Sequence, residues 1–172
     1  MLNPDQKFMR AALKQARLAL AKKEVPIGAV IVKDGKVIAR GYNQREMKQD
    51  ASLHAEMTAI KKACKKLGSW RLIGCQLYVT LEPCAMCAGA IVLARIERVI
   101  FGAFDQKAGA CGTVMNILDQ PKLNHHPTIT SGILEEECSA MLSGFFQDLR
   151  TAEKNKKNQL ISYKSTQNQN NL

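Results

Sequence analysis

Four side chains in two short segments have the types and spacing to hold a metal ion and to transfer a proton. His54 and Glu56 lie two residues apart, and a later Pro-Cys-x-x-Cys run supplies Cys84 and Cys87. One imidazole and two thiolates make three zinc ligands, and catalytic zinc sites keep a fourth position for water. Glu56 is then left as an acid/base group that acts on this water, which favours a hydrolytic enzyme.

Two other interpretations of these residues remain open. The two cysteines could form a redox pair, although the preceding Glu82-Pro83 and the His-x-Glu segment argue against it. His125 or His126 could instead act as a fourth ligand and give a closed, structural Cys2His2 zinc site. These two histidines lie in a loop rich in Pro and Asn and are expected to face solvent or RNA. The spacing of the other ligands and their context therefore favour catalytic zinc over structural zinc.

The elements that position these side chains follow from hydrophobic periodicity and turn residues. We predict helices over residues 4–22, 54–67, 83–94 and 131–150, and strands over 27–32, 36–41, 77–81, 98–101 and 127–130. Asp34-Gly35 closes a hairpin between the first two strands. A polar loop is expected over 41–53 and a short helix over 114–118. This order predicts an α/β fold with a mixed central sheet of about five strands and helices on both faces.

The predicted helix boundaries place the four side chains at two helix N-termini. Side chains two residues apart point about 200° apart within a helix, so His54 and Glu56 can meet only across the end of their helix. Pro83 is predicted at the first position of the next helix, whose N-terminus would stabilise the two thiolates. Two helix N-termini should therefore converge on one metal ion.

The face that the 54–67 helix is predicted to bury consists of Met57, Ile60, Cys64 and Leu67.

Composition limits the classes of function. The chain has 172 residues, enough for one well-buried core, and no apolar run reaches the length of a membrane span. The first residues lack a signal-peptide pattern, so we expect a cytoplasmic protein with reduced cysteines. The net charge of +10 favours a polyanionic partner such as nucleic acid. Four lysines and one glutamate give the polar segment 151–172 a net of +3, so the rest of the chain carries +7.

The segments around the four side chains resemble the zinc-dependent nucleobase deaminases of the cytidine and deoxycytidylate deaminase superfamily. His-x-Glu followed by Pro-Cys-x-x-Cys is the signature of these enzymes. The resemblance extends over about residues 5–150. Within this superfamily the chain is similar above all to the bacterial tRNA adenosine deaminases. The segments that carry this resemblance are 24–32, 77–90, 98–103 and 132–138.

The resemblance implies a three-layer α/β/α, cytidine deaminase-like fold and hydrolytic deamination of adenosine to inosine at the wobble position of a tRNA anticodon. It makes His54, Cys84 and Cys87 the ligands of one Zn2+ per subunit, with Glu56 as the proton shuttle. It also implies a homodimer that binds the anticodon stem-loop and no membrane. The residues it places near the target nucleoside or the anticodon loop are Asn43, Asp105, Lys107, Asn124, Phe145, Phe146 and Arg150. Residues 1–150 would form the single zinc-dependent deaminase domain, and 151–172 a basic, disordered or frayed C-terminal segment.

Two rival functions are consistent with the same zinc signature. The first is a deaminase of a free base or nucleoside, of the guanine or cytosine type. The second is an RNA-binding module with a structural zinc ion, in which Glu56 would have no role in chemistry. The basic charge favours an RNA substrate over a free base, and the fate of Glu56→Ala separates an enzyme from a binding module.

Overall fold

The structure, a computed structural model, describes residues 3–169, and the side chains of residues 3–159. Its helices are α1 Pro4–Ala21, α2 Arg45–Lys48, α3 Ala55–Leu67, α4 Ala85–Leu93 and α5 Glu135–Gln169. Its strands are β1 Gly28–Lys33, β2 Lys36–Tyr42, β3 Cys75–Leu81, β4 Arg98–Ala103 and β5 Thr128–Thr130. None of the helices in this part of the chain combines the length and apolar character that crossing a bilayer requires.

The five strands form one mixed sheet in the order β2-β1-β3-β4-β5. The pairs β2-β1 and β1-β3 are antiparallel, and β3-β4 and β4-β5 are parallel. One core cluster packs α3 and α4 against one face, and a second packs α1 and the start of α5 against the other. The predicted three-layer α/β/α architecture is therefore confirmed, and the carboxyl ends of the parallel strands β3 and β4 lie at the same edge.

The predicted hairpin is confirmed in its turn as well as in its strands. Asp34 and Gly35 have φ angles of 49° and 67°, the left-handed pair that a two-residue type I′ turn requires. The turn pairs Lys33 with Lys36 and brings β2 back along β1. This hairpin places the end of β2, and Asn43 after it, beside the beginning of α3.

The face that α3 buries differs from the predicted one. Its buried residues are mostly small: Ala55, Glu56, Thr58, Ala59, Ile60 and Ala63. Leu67 is exposed, and Met57 and Cys64 are only half-buried. The reason is the close approach of β2, because a Cβ built on Gly41 would lie 2.2 Å from the carbonyl oxygen of Ala55. Backbones this close leave room only for small side chains between them, so the alanine stripe and not the larger residues faces the sheet.

Four other local predictions need correction or extension. The polar loop over 41–53 contains the short helix α2, and the segment 114–118 forms turns rather than a helix. Pro83 lies outside its helix, because Cys84 has the extended backbone of an N-cap residue and α4 begins at Ala85. Helix α5 continues to Gln169, past residue 150, where the composition changes. The domain boundary at residue 150 stays a prediction.

Candidate metal centre and active site

Three metal-binding side chains meet between the beginnings of α3 and α4. His54 is the N-cap of α3 and Cys84 is the N-cap of α4, both with extended backbone, while Cys87 lies in the first turn of α4. The imidazole Nδ1 of His54 lies 3.6 Å from the Sγ atom of each cysteine. The ligand atoms of the three residues all lie within 4.8 Å of one another. The convergence of two helix N-termini, expected from the spacing, is present in the fold.

Among the described residues, no fourth histidine, cysteine or carboxylate joins this cluster. His125 contacts the carbonyl oxygen of Ile96 at 2.6 Å, and His126 contacts that of Gln120 at 2.9 Å. Both histidines are therefore engaged elsewhere in the fold. The cluster has the three protein ligands of an open metal site, and nothing in the geometry supports a closed Cys2His2 site.

The electrostatics of the cluster favour one thiolate. Hydrogen bonds from Cys87 and His54 lower the pKa of Cys84 to about 3, well below the ordinary value of a thiol. The same interaction with Cys84, together with burial, raises the pKa of Cys87, and the hydrogen bond with Cys84 raises the pKa of His54. Because a metal ion binds the thiolate form of cysteine and the neutral form of histidine, metal binding at this cluster would release protons.

Glu56 lies in the first turn of α3, and its side chain is only 4% exposed. Burial raises the pKa of its carboxyl group to about 7, near the range in which a carboxyl group can both accept and donate a proton at neutral pH. Its carboxylate oxygens are not among the ligand atoms that all lie within 4.8 Å of one another. The arrangement leaves Glu56 beside the cluster as an acid/base group.

A cavity of about 280 Å3 opens onto this centre. Six of the residues proposed from the sequence line it: Asn43, His54, Glu56, Cys84, Asp105 and Phe146. Its volume lies just below the roughly 300–1,000 Å3 of ordinary ligand pockets, so it has room for one small group. A larger cavity of about 580 Å3 lies over the exposed side of α3 and contains none of these residues, so the chemistry belongs to the smaller cavity.

The other proposed contact residues lie outside this cavity. Lys107 lies with Phe146 in an adjoining hollow, and Phe145 is half-buried against the edge of Phe146, with ring centroids 5.3 Å apart. Arg150 is exposed on α5, one turn after Phe146, and Asn124 is exposed in the loop before β5. The structure therefore brings Lys107 and Phe146 together in the adjoining hollow and Phe145 against Phe146, while Asn124 and Arg150 line neither space.

Sequence reasoning missed two buried acidic residues at the cavity: Glu82 lines it, and Glu24 contacts the lining residue Asn43. Glu24 precedes β1 and is 1% exposed, and Glu82 follows β3 and is 2% exposed. Glu24 accepts hydrogen bonds from the side-chain amide of Asn43 at 3.3 Å and from the backbone N–H of Met47 at 2.6 Å. Both residues lie inside the segments that carried the family resemblance. An acidic residue directly after an apolar strand was the signal that could have found Glu82, whereas Glu24 does not adjoin β1 and gave no such signal.

The chain is similar to several known deaminases. A family model of the MafB19-like deaminases matches residues 3–150. The tRNA-specific adenosine deaminase of Bacillus subtilis is 55% identical over 153 residues, covering 89% of this chain and 95% of that protein. Among solved structures, one from a study of A-to-I editing by tRNA:A34 deaminases at the wobble position is 48% identical, with a TM-score of 0.77, and the match covers 79% of this chain and 99% of that one. A guanine deaminase from Bacillus subtilis is 37% identical, with a TM-score of 0.57, over 84% of this chain and 92% of that one.

Proposed function

The chain belongs to the MafB19-like deaminase family, and we propose that it hydrolyses adenosine to inosine at the wobble position of the tRNA anticodon. The observation that carries the proposal is the similarity to the Bacillus subtilis tRNA-specific adenosine deaminase over nearly the whole of both chains. The likeness to a tRNA:A34 deaminase structure supports the same substrate. The guanine deaminase likeness, at lower identity, makes deamination of free guanine the second candidate.

The metal that we propose is zinc, held by His54, Cys84 and Cys87 with one ion per subunit. For a tetrahedral ion with Zn–S of about 2.3 Å and Zn–N of about 2.0–2.1 Å, the nitrogen and sulfur ligands should lie about 3.5–3.6 Å apart. The two Nδ1-to-Sγ distances are both 3.6 Å, so the donor set and its spacing fit this ion without rearrangement. Zinc bound here with an open position would lower the pKa of a water molecule and so supply the nucleophile.

The reaction replaces the amino group on C6 of the purine with the oxygen of one water molecule. The water oxygen bonds to C6 and the bond from C6 to the amino nitrogen breaks; one water proton goes to ring N1 and the other to the amino nitrogen, which leaves as ammonia. We assign both transfers to the Glu56 carboxylate, because it is buried beside the metal-binding cluster and lines the cavity. It accepts the water proton at one carboxylate oxygen and returns it to the purine, so that the carboxylate is regenerated.

The cavity walls support an assignment of roles for the other residues. We assign Asn43, Asp105 and Phe146 to the target nucleoside, because their side chains line the cavity. Lys107, Asn124, Phe145 and Arg150 are assigned to the rest of the anticodon loop. An anticodon loop suits a small cavity, since its bases are already single-stranded and one of them can be extruded without opening a duplex. The net charge of +10 favours binding to the RNA phosphates.

We further propose that the protein acts as a homodimer in the cytoplasm. Met86 and Leu93 lie seven residues apart on α4 and so on one face of it, and they are 38% and 68% exposed. An apolar helix face next to the metal-binding cluster favours a second copy of the chain as its partner. The cytoplasmic location is supported by the cysteines, since all six are free and reduced thiols are typical of that compartment.

The test of the proposed function uses an anticodon stem-loop that carries adenosine at the wobble position. Wild-type protein should convert this adenosine to inosine and leave free adenosine, guanine and cytidine unchanged. Glu56→Ala should keep its zinc and lose deamination, whereas Glu46→Ala, which removes an exposed carboxylate on α2, should keep both. Deamination of free guanine alone would favour the second candidate, and inosine formation by Glu56→Ala would contradict the assigned mechanism.

A further inference from the structure

Glu82 is a buried acidic residue to which the proposed mechanism gives no task. It directly follows β3, is 2% exposed, and its backbone N–H donates to the carbonyl oxygen of Ala103 at the end of β4. Among the described residues, no lysine or arginine forms an ion pair with it. A buried carboxylate without a cation is stable only if hydrogen-bond donors surround it.

Four donors surround the Glu82 carboxylate, and all belong to one segment, 105–113. One oxygen accepts from the backbone N–H groups of Cys111 at 3.0 Å and Thr113 at 3.1 Å. The other accepts from the backbone N–H of Asp105 at 3.2 Å and from the hydroxyl of Thr113. The two ends of the segment are thereby tied to a single side chain.

The middle of the same segment lies against the Glu82 carboxylate and against Pro83-Cys84, where one of the metal-binding side chains is found. A Cβ on Gly109 would lie 2.4 Å from a Glu82 oxygen, so a side chain there would displace the carboxylate. Gly109 forms an isolated bridge with Cys84, and the N–H of Ala110 donates to the carbonyl oxygen of Pro83 at 2.9 Å. The segment therefore joins a candidate substrate contact, Asp105, to the residue that supplies a thiolate.

We propose that Glu82 is a positioning residue, which holds the 105–113 segment as a preformed wall of the substrate cavity and fixes Asp105 relative to Cys84. Its oxygens are occupied by the four donors, so Glu82 acts on the substrate only through this wall. A wall that is already ordered adds no ordering cost when RNA binds, and binding is tighter for that reason. This inference rests on the proposed function for its substrate, but the hydrogen-bonded wall is a property of the chain alone.

The sharpest test removes one donor and leaves the shape unchanged. Thr113→Val deletes the hydroxyl that donates to Glu82, Thr113→Ser retains a hydroxyl, and Thr128→Val makes the same change at β5. In Thr113→Val we expect hydrogen exchange of the Asp105 and Cys111 amides to quicken by about 10- to 100-fold, as loss of one hydrogen bond to a charged group implies. Thr113→Ser should restore slow exchange and Thr128→Val should leave it unchanged. Unchanged exchange in Thr113→Val would overturn the proposal.

The kinetic arm separates a positioning role from a purely structural one. With the wobble-adenosine stem-loop, Thr113→Val should raise KM about tenfold and leave kcat within about twofold, because the wall must then be ordered during binding. If the substitution only destabilised the fold, less of the protein would be folded, so the apparent kcat would fall and KM would stay unchanged. Glu82→Gln should have the larger effect, because its amide N–H would face the N–H donors of the segment, and both variants should keep their zinc.

The two proposals fail in different ways. If wild-type protein does not deaminate the stem-loop, the proposed function fails, and the positioning role in that reaction falls with it, although the exchange data still report the wall. If wild-type protein is active and Thr113→Val quickens exchange without a change in KM, the positioning role is overturned and the proposed function stands.

Discussion

The Glu24 carboxylate and the Asn43 side-chain amide share a hydrogen bond of 3.3 Å in the interior of the protein. The Asn43 amide nitrogen also contacts the carbonyl oxygen of Val25 at 3.4 Å, and its oxygen contacts the backbone N–H of Arg45 at 3.4 Å. These contacts fix which end of the amide points in each direction. Glu24 thus holds a residue that lines the cavity, and Glu82 lines the cavity itself, so two buried acidic residues support the site.

The first prediction concerns this orientation of Asn43. In Glu24→Gln, an amide N–H would replace one acceptor oxygen and face either the Asn43 amide or the backbone N–H of Met47. We expect kcat/KM for the stem-loop to fall by at least about tenfold, the equivalent of losing one hydrogen bond to a charged group. Zinc content should be unchanged. Steady-state kinetics with metal analysis of the same samples would measure both.

Glu46→Gln is the matched control. It makes the same chemical change at an exposed residue next to Met47, whose backbone N–H donates to Glu24. The Glu46 side chain is 63% exposed and pairs only with Arg45, and surface pairs of this kind contribute little. Its kinetics should equal those of the wild type. Equal losses in Glu24→Gln and Glu46→Gln would mean that charge, and not the orientation of Asn43, controls the rate.

Much of this site could be predicted from local sequence, because its key residues lie at helix beginnings. The two-residue separation of His54 and Glu56 already required a meeting point at a helix end, and the structure places His54 at the N-cap of α3. The Asp34-Gly35 turn determined the hairpin. These features depend on backbone geometry over a few residues, which the residue types encode directly.

The buried carboxylates and the packing of α3 could not be predicted in the same way. The four donors of Glu82 lie 23 to 31 residues away in the chain, and no local pattern identifies them. The buried face of α3 depends on how closely β2 approaches at Gly41. Hydrophobic periodicity favoured the larger residues, but the distance between the two backbones selects the small ones.

The second prediction concerns the metal ligands. Cys84→Ala should lose zinc on dialysis, with at least about 100-fold weaker affinity, because removal of a ligand weakens binding more than removal of an outer-shell partner does. Cys64→Ala, which alters a half-buried cysteine of α3, should retain one zinc per chain. Metal analysis after dialysis checks both variants. Zinc loss from both would show that the metal depends on general folding and not on this cluster.

The third prediction uses the close contact of β2 with α3. Gly41→Ala should lower the free energy of unfolding by about 2–3 kcal/mol, because its Cβ would overlap the backbone of α3. Zinc affinity should fall too, since the displaced Ala55 directly follows His54. Gly144→Ala on α5 has no atom within 4 Å of the added Cβ and should raise stability by about 0.5–1 kcal/mol. Denaturant titrations measure both, and a neutral Gly41→Ala would contradict the packing argument.

The last prediction concerns acid stability and the tie between α1 and β4. The Asp5 carboxylate accepts from the Arg98 guanidinium at 2.9 and 2.7 Å and from the Tyr78 hydroxyl at 2.8 Å. The Arg98 hydrogen bonds, and after them the Tyr78 hydrogen bond, lower the pKa of Asp5. A carboxyl group with a lowered pKa in the folded state stabilises the fold above its unfolded value of about 3.9, and this contribution is lost as the pH falls through the lower folded pKa.

Asp5→Asn should therefore destabilise the protein by about 1–2 kcal/mol at neutral pH. The difference in the free energy of unfolding between Asp5→Asn and the wild type should shrink below about pH 4. It should vanish once Asp5 of the wild type is protonated and so uncharged, like asparagine. Denaturant titrations at several pH values measure this convergence. Asp119→Asn, in an exposed turn, is the control and should follow the wild type at every pH. A difference between Asp5→Asn and the wild type that stays constant down to pH 2 would mean that Asp5 stabilises α1 through its shape and not through its charge.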